Sequence, residues 1–394
     1  MLRIDEIYEN TIWPYIKKHH PGVRLWWCEP FGRTDPESLV NYGSDDLVEH
    51  NYILMWDQEP IHLNLHIPTF EQIQTKNYDI HWGNNLRNQV GNMINNAGYS
   101  KPIKDICTGS IITSERDSDT VTELCQKFNW KHYYYFFHGW AALDWYRGYD
   151  RTFLITPWKE RSISKTFIAP NRIIAGERRH RLEMLYWIFK LGLIDNHVSC
   201  PKICPAENIP ILDATLPLQT RYPDIQTVFA AQPLPLNFKN ETDHPMHSCW
   251  LSLFDQSAES LLYLVTETVA TGRRHHLTEK TFKPIALGMP FIIVGTQGSL
   301  RYLRSYGFRT FGELWDESYD DEPDDHKRIE KIARVLELLE SLEEDRQAIF
   351  DSAWDIIEHN WNHFYGGGFE AILWQELKDM LNDIEFNSGP GDQR

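Results

Sequence analysis

Apolar positions along the chain fall into two alternating patterns. From Arg178 to Leu191, residues Leu182, Leu185, Tyr186 and Phe189 stand at i, i+3, i+4 and i+7, the spacing of one helix face, and Gly192 supplies the stop. Met289 to Val294 is instead an unbroken apolar run with β-branched residues that closes on Gly295, the mark of a strand buried on both faces of a parallel sheet. Leu261 to Val265 also reads as a strand. Short apolar strands with polar connections recur earlier, as in Tyr52 to Trp56 before Asp57-Gln58-Glu59-Pro60 and Tyr133 to Phe137 before His138-Gly139. The alternation predicts an α/β protein.

Between these two strands of the second half, the pattern predicts a helix with Thr278 as its N-cap and Glu279 and Lys280 in its first turn. Pro284 should kink or shorten it, and Gly288 ends it. Further helices are expected from Ser299 to Tyr306 and from Asp325 to Ile349, the second after the acidic loop Asp320 to Asp325. A last one, from Glu370 to Met380, follows the flexible turn Gly366-Gly367-Gly368.

A chain of 394 residues is long enough for two domains with separate cores. The break in pattern near Leu154 to Lys159 sets them at 1–155 and 156–386, with the polar stretch 387–394 as a disordered tail. A hydrophobic content of 42% against 24% charged residues excludes a disordered or fibrous chain, and fifteen Trp offer stacking surfaces to a ligand with rings. A formal net charge of −17 argues against broad, sequence-independent binding to duplex phosphates while leaving room for a local basic groove. Cys28, Cys107, Cys125, Cys200, Cys204 and Cys249 include no CxxC pair, so Cys200 and Cys204 read as structural thiols. No secretory leader and no apolar run of about twenty residues is seen, which implies a soluble cytoplasmic protein in a reducing compartment.

The residues that carry chemistry cluster around the predicted helix. Thr266-Glu267-Thr268 ends a strand, the basic loop Gly272-Arg273-Arg274-His275-His276 follows, and Thr278-Glu279-Lys280 opens the helix. Ligands of open α/β sheets bind where strand C-termini meet helix N-termini, so Glu267 and Glu279 can accept bonds from ligand hydroxyls while Lys280 faces phosphate. The plainer alternative is a capped helix with Glu267 as a cap carboxylate and a solvated basic loop. A second basic cluster, Asn171-Arg172 and Arg178-Arg179-His180-Arg181, opens the other helix, where cations oppose the dipole. Either a diphosphate held by Arg172 or Arg181 compensates, or these side chains pair with acidic residues elsewhere. For a general base, Glu59 at a strand's C-terminal edge is favoured, with Asp57 as its neighbour and His138 as an alternative; a surface turn is the plainer reading of Asp57 and Glu59.

These segments resemble the donor-binding domain of fucosyltransferase-like glycosyltransferases, and a looser group of glycosyltransferase-like proteins common in large bacteriophages. The shared features are Asn171-Arg172, His180-Arg181, Val265 to Thr268, Thr278 to Pro284 and Met289 to Gly295, with Gly298-Ser299-Leu300, Gly307 to Phe311 and Trp315 to Asp320. The likeness covers about residues 165 to 365. It implies two Rossmann-like domains facing a cleft, the GT-B type, with the acceptor side N-terminal and the nucleotide-sugar side C-terminal. It further implies that Glu279 binds ribose or sugar hydroxyls and that Lys280 and Arg172 or Arg181 bind the diphosphate. His276 stands where the fucosyltransferases commonly have Tyr.

The expected reaction is metal-independent, inverting transfer of a sugar from a nucleotide diphosphate sugar, with no cofactor besides that donor, to a hydroxyl on a glycan, protein or small molecule. A bacteriophage DNA glycosyltransferase acting on hydroxymethylated pyrimidines in the host cytoplasm is one alternative. A non-catalytic nucleotide-sugar or glycan-binding protein is another. Asp117-Ser118-Asp119 spells the metal-nucleotide motif of the other major glycosyltransferase fold but reads as a solvated loop.

Overall fold

A computed structural model of the protein describes residues 8–27, 39–40, 53–56, 60, 109–147, 156–205, 208–236 and 251–387. By its packing the chain divides into Met1–Ala141 with Ile372–Arg394, and Ala142–Ala371. The division comes earlier than the boundary read near residue 155, inside an apolar helix, and the last residues of the chain go with the first unit. Asp57 and Glu59 lie outside the described residues, as do 388–394 of the expected tail.

The first unit holds strands β1 (Leu25–Trp27), β2 (Leu39–Val40), β3 (Ile53–Trp56), β4 (Ser110–Thr113) and β5 (Lys131–Tyr134) in a five-stranded sheet of order β2-β1-β3-β4-β5. Its pairs are parallel except β1 with β2. Its described helices include α1 (Trp13–His19), α2 (Asp119–Phe128), the start of α3 (Phe137–Arg147) and most of the last helix of the chain. The Ser118 hydroxyl accepts from Val121 N at 3.2 Å and so caps α2, while Asp117 and Asp119 are exposed. The Asp-Ser-Asp sequence is thus the entrance to a helix, a more ordered element than a loop.

The aromatic run from Tyr133 conceals a change of element. The strand stops at Tyr134, and Phe137 opens α3, so His138 sits in a helical first turn and not in a loop after a strand. Trp140, Ala141, Ala142 and Leu143 are each buried, so this helix is apolar all round and leaves no periodic signal.

The second unit contains β6 (Lys165–Ala169) and β7 (His197–Val198), the small antiparallel pair β8 (Ile203–Cys204) and β9 (Ile209–Pro210), then β10 (Ser260–Thr266) and β11 (Phe291–Val294). The order β11-β10-β6-β7 is parallel throughout. β10 is buried along its whole length, in register from Tyr263↔Phe291 to Thr266↔Val294 on one side and Leu262↔Phe167 on the other. That double burial is what its unbroken apolar run requires.

Among the described residues this unit also holds helices α4 (Arg179–Lys190), α5 (Ile211–Thr215), α6 (Ile225–Ala230), α7 (Phe254–Ala258), α8 (Glu279–Leu287), α9 (Ser299–Ser305), α10 (Asp325–Ser341), α11 (Arg346–Ser352), α12 (Trp354–Tyr365) and the beginning of α13 (Gly368–Asn387). Among the described residues, no helix is long and apolar enough to cross a membrane.

α8 begins and ends where its sequence indicates. Thr278 is the N-cap, Pro284 lies inside the nine-residue helix, and Gly288 closes it at φ 64. A Cβ at Gly288 would lie 2.9 Å from the Trp158 ring, so the position needs glycine for space as well as for its left-handed backbone. Arg161 donates to Leu287 O and Gly288 O, and burial pushes its guanidinium down to about 10. Lys283, which the sequence suggests is solvated, is buried with this helix.

The long charged helix expected from Asp325 to Ile349 is broken. Ser341 donates back to Leu338 O, Leu342 leaves helical geometry at ψ 37, and α11 restarts at Arg346, which is fixed by Glu340 and by Ser164 O. The last helix overruns its expected ends on both sides, starting directly after Gly367 at φ 90.

Candidate functional site at the sheet switch point

β6 and β10 are neighbours, but the chain leaves them in opposite directions, through α4 to β7 on one side and through α8 to β11 on the other. The crevice beyond their C-terminal ends is therefore the switch point of the sheet, where open α/β sheets bind ligands. Asn171 and Arg172 follow β6, Glu267 and Thr268 follow β10, and the N-termini of α4 and α8 return to the same edge. This topology gathers Arg172, Arg181, Glu267, Thr278, Glu279 and Lys280, which lie far apart in sequence.

The two strand ends are stitched together. The Thr266 hydroxyl donates to Asn171 Oδ1 at 3.0 Å, and Arg181 donates to Ile173 O at 2.8 Å and to Thr266 O and Glu267 O at 3.0 Å each. Arg181 is buried, and its bonds run to main-chain carbonyls, as a strut between strand ends. Burial pushes its guanidinium down to about 10, with the nearby charge of Arg178 acting in the same direction. His180 Nε2 lies 2.9 Å from Glu267 O. A carbonyl only accepts, so Nε2 carries the proton. Burial first, then the adjacent Arg181, pushes this imidazole down to about 3 and keeps it neutral.

Glu267 has 0% exposure, and its carboxylate is surrounded by the protein's own donors. Oε1 accepts from Thr278 N at 3.1 Å and Thr281 Oγ1 at 2.6 Å; Oε2 accepts from Thr268 N at 3.1 Å and Thr278 Oγ1 at 2.6 Å. It thereby supplies a negative charge at the positive end of α8. Its amide donates to Val294 O at 3.0 Å, which also ties it to β11.

Glu279 and Lys280 form an ion pair at 2.7 Å, Glu279 buried and the Lys280 side chain 26% exposed. The ammonium also lies 3.3 Å from Thr268 Oγ1 and 3.4 Å from Thr278 Oγ1. The Glu279 carbonyl accepts from the Tyr146 hydroxyl at 3.2 Å. His276 is buried at the end of the basic loop, next to His275, whose ring stacks on Tyr302 at 5.3 Å.

α4 starts differently. A 3-10 turn, Gly176–Arg178, leads into it, no side chain caps it, and its first turn contains no acidic residue. Arg178 is half-buried there, and its guanidinium has no hydrogen-bond or ion-pair partner among the described residues. The sequence expectation names Arg172 and Arg181 in this cluster and not Arg178, whose visible signal is its place immediately before the helix, against the dipole.

Other sequence candidates lie elsewhere or serve the scaffold. His138 belongs to the first unit, where it is buried beside Phe137. Glu317 accepts from Phe311 N and the Thr310 hydroxyl at 2.7 Å each, and Asp320 accepts from Leu300 N and Arg301 N, which caps α9. Burial raises both carboxyls above their ordinary values. The Trp315 to Asp320 stretch therefore supports turns. Cys200 and Cys204 are buried; Cys204 Sγ accepts from Ile174 N, and burial pushes the Cys200 thiol up to about 12. Among the described residues no group of three or more His, Cys, Asp and Glu could hold a metal ion.

The switch point thus presents the partly exposed Thr268 and a paired carboxylate and ammonium on the α8 side, and half-buried arginines on the α4 side. Such a surface can bind a ligand that is a polyol at one end and an anion at the other. Comparison of the chain with family models, with curated proteins and with solved structures finds no match.

Proposed function

We propose that the protein is a nucleotide-sugar-dependent glycosyltransferase of GT-B type. The observation that carries this reading is the convergence of Arg172, Arg178, Thr268, Glu279 and Lys280 on the switch point between β6 and β10. Glu267 and Glu279 already place carboxylates at the start of α8, so a phosphate there would meet like charge. The diphosphate belongs instead to the α4 side, with Arg172 and Arg178, and the sugar hydroxyls to Thr268, Glu279 and Lys280.

In the reaction, the acceptor hydroxyl attacks the anomeric carbon, a base takes its proton, and the bond from that carbon to the diphosphate oxygen breaks. The leaving nucleoside diphosphate gains a negative charge, which pre-placed guanidinium groups stabilise. Glu59 is the proposed base, with Asp57 as its neighbour and His138 as the alternative. Transfer to a glycan, protein or small-molecule hydroxyl fits the net charge of −17 better than transfer to DNA.

Calorimetric titration with a panel of nucleotide sugars tests the reading. One of them should bind, and Lys280→Ala should weaken that binding about tenfold, the worth of one hydrogen bond to a charged group. If no nucleotide sugar binds, or the variant binds equally well, the proposal fails. Label transfer to an oligosaccharide pool against hydroxymethylated DNA then decides the acceptor.

A further inference from the structure

The geometry points to Glu267 as a positioning residue that acts on the donor through the Thr278 hydroxyl and Lys280, an inference that rests on the donor reading above. The Thr278 hydroxyl has a single proton. At 2.6 Å from Glu267 Oε2, that proton goes to the carboxylate, because an ionised carboxylate can only accept. The hydroxyl's lone pairs are then turned toward Lys280, whose Nζ and backbone N each lie 3.4 Å away. Glu267 thus fixes the polarity of the Thr278 hydroxyl, and the hydroxyl draws the ammonium toward the helix start. Thr281 and the amides of Thr268 and Thr278 hold the carboxylate in the plane this requires.

An amide in place of the carboxylate cannot reproduce the arrangement. Each carboxylate oxygen of Glu267 accepts from one backbone N–H and one threonine hydroxyl. Whichever of these positions the NH2 of a glutamine takes, it opposes a backbone N–H. If it takes the Oε2 position it also donates to Thr278 Oγ1, which reverses that hydroxyl and points its proton at the ammonium. A residue that merely fills space would have no such influence on Lys280.

A double-mutant cycle of Glu267→Gln with Lys280→Ala, read by titration of the donor sugar nucleotide, tests the inference. Alone, Glu267→Gln should weaken donor binding about tenfold, and in the Lys280→Ala background it should cost little more. Equal losses in both backgrounds would show a merely structural role and overturn the inference. Thr278→Val, which keeps the carboxylate and removes the relaying hydroxyl, should show the same coupling to Lys280→Ala in a chain whose Glu267 charge is intact.

Amide exchange in the ligand-free protein separates this inference from the donor reading. Exchange at Thr278 to Thr281 should rise about tenfold in Glu267→Gln, while β10 and β11 keep their protection. An unchanged first turn refutes the positioning role even if donor binds. Failure of the wild-type chain to bind any nucleotide sugar refutes the donor reading, whatever the exchange shows.

Discussion

α4 and α8 start at the same edge of the same sheet, and they resolve their exposed N–H groups and dipoles in opposite ways. α8 is capped by Thr278, backed by the buried Glu267 carboxylate and opened by Glu279, so its positive end already holds anions. α4 has neither cap nor acid in its first turn and is preceded by Arg178. In sequence the α8 side looks the stronger phosphate site, because Thr-Glu-Lys puts a cation at a capped helix start. In three dimensions its lysine is paired with Glu279, and Arg178, without a partner for its guanidinium among the described residues, stands at the start of α4. What a helix start can bind is decided by the groups folded against it as much as by its own residues.

The contrast can be broken most forcefully at Glu267. Glu267→Ala leaves the Thr278 and Thr281 hydroxyls and the amides of Thr268 and Thr278 without their acceptor, and removes a counter-charge of Arg181. Urea unfolding should show a loss of about 3–5 kcal/mol, as when one partner of a buried polar network is removed.

His180 gives a pH-dependent version of the same test. Its folded-state value of about 3 lies below the ordinary 6.5, so between those values the unfolded chain binds more protons. The stability it contributes is fully present above pH 6.5 and is lost as pH falls toward 3. His132 in the first unit, held by burial at about 4, adds a similar loss over much of the same window. Replacing His180 with Gln should flatten the acid limb of the stability profile by up to about 1.4 kcal/mol per pH unit.

Two milder substitutions distinguish the helix starts. Thr278→Ala should cost about 1 kcal/mol through the lost cap, measured by chemical unfolding, whereas Arg178→Ala should leave stability within about 0.5 kcal/mol or raise it slightly, since it removes a cation facing the dipole. If Arg178→Ala proves as destabilising as Thr278→Ala, Arg178 supports the fold and the distinction between the two helix starts collapses.

Much of the second unit was legible in the chain because its signals are local. The Thr278 cap, the Gly288 stop and the apolar run into β11 are separated by few residues, and each follows from its own backbone chemistry. The switch point itself was accessible only as an expectation, since strand order is a property of the whole sheet. Glu267 and Arg181 stand out in the sequence as candidate ligand contacts, but their partners come from other elements, so sequence alone cannot distinguish a ligand-facing charge from one that holds the frame. The α-helical position of His138 was hidden by an aromatic run compatible with either element. The break after Ser341 was obscured by residues that are individually good helix formers.

In the proposed reading the anion binds the α4 side of the switch point and the hydroxyls the α8 side. Titration of a nucleoside diphosphate, which lacks the sugar, into the wild-type protein, Arg178→Ala and Lys280→Ala tests it most directly. The expected result is that Arg178→Ala weakens binding about tenfold or more, through loss of a charge-assisted bond, while Lys280→Ala changes it little. A large loss in Lys280→Ala with an unaffected Arg178→Ala would place the diphosphate on the α8 side instead.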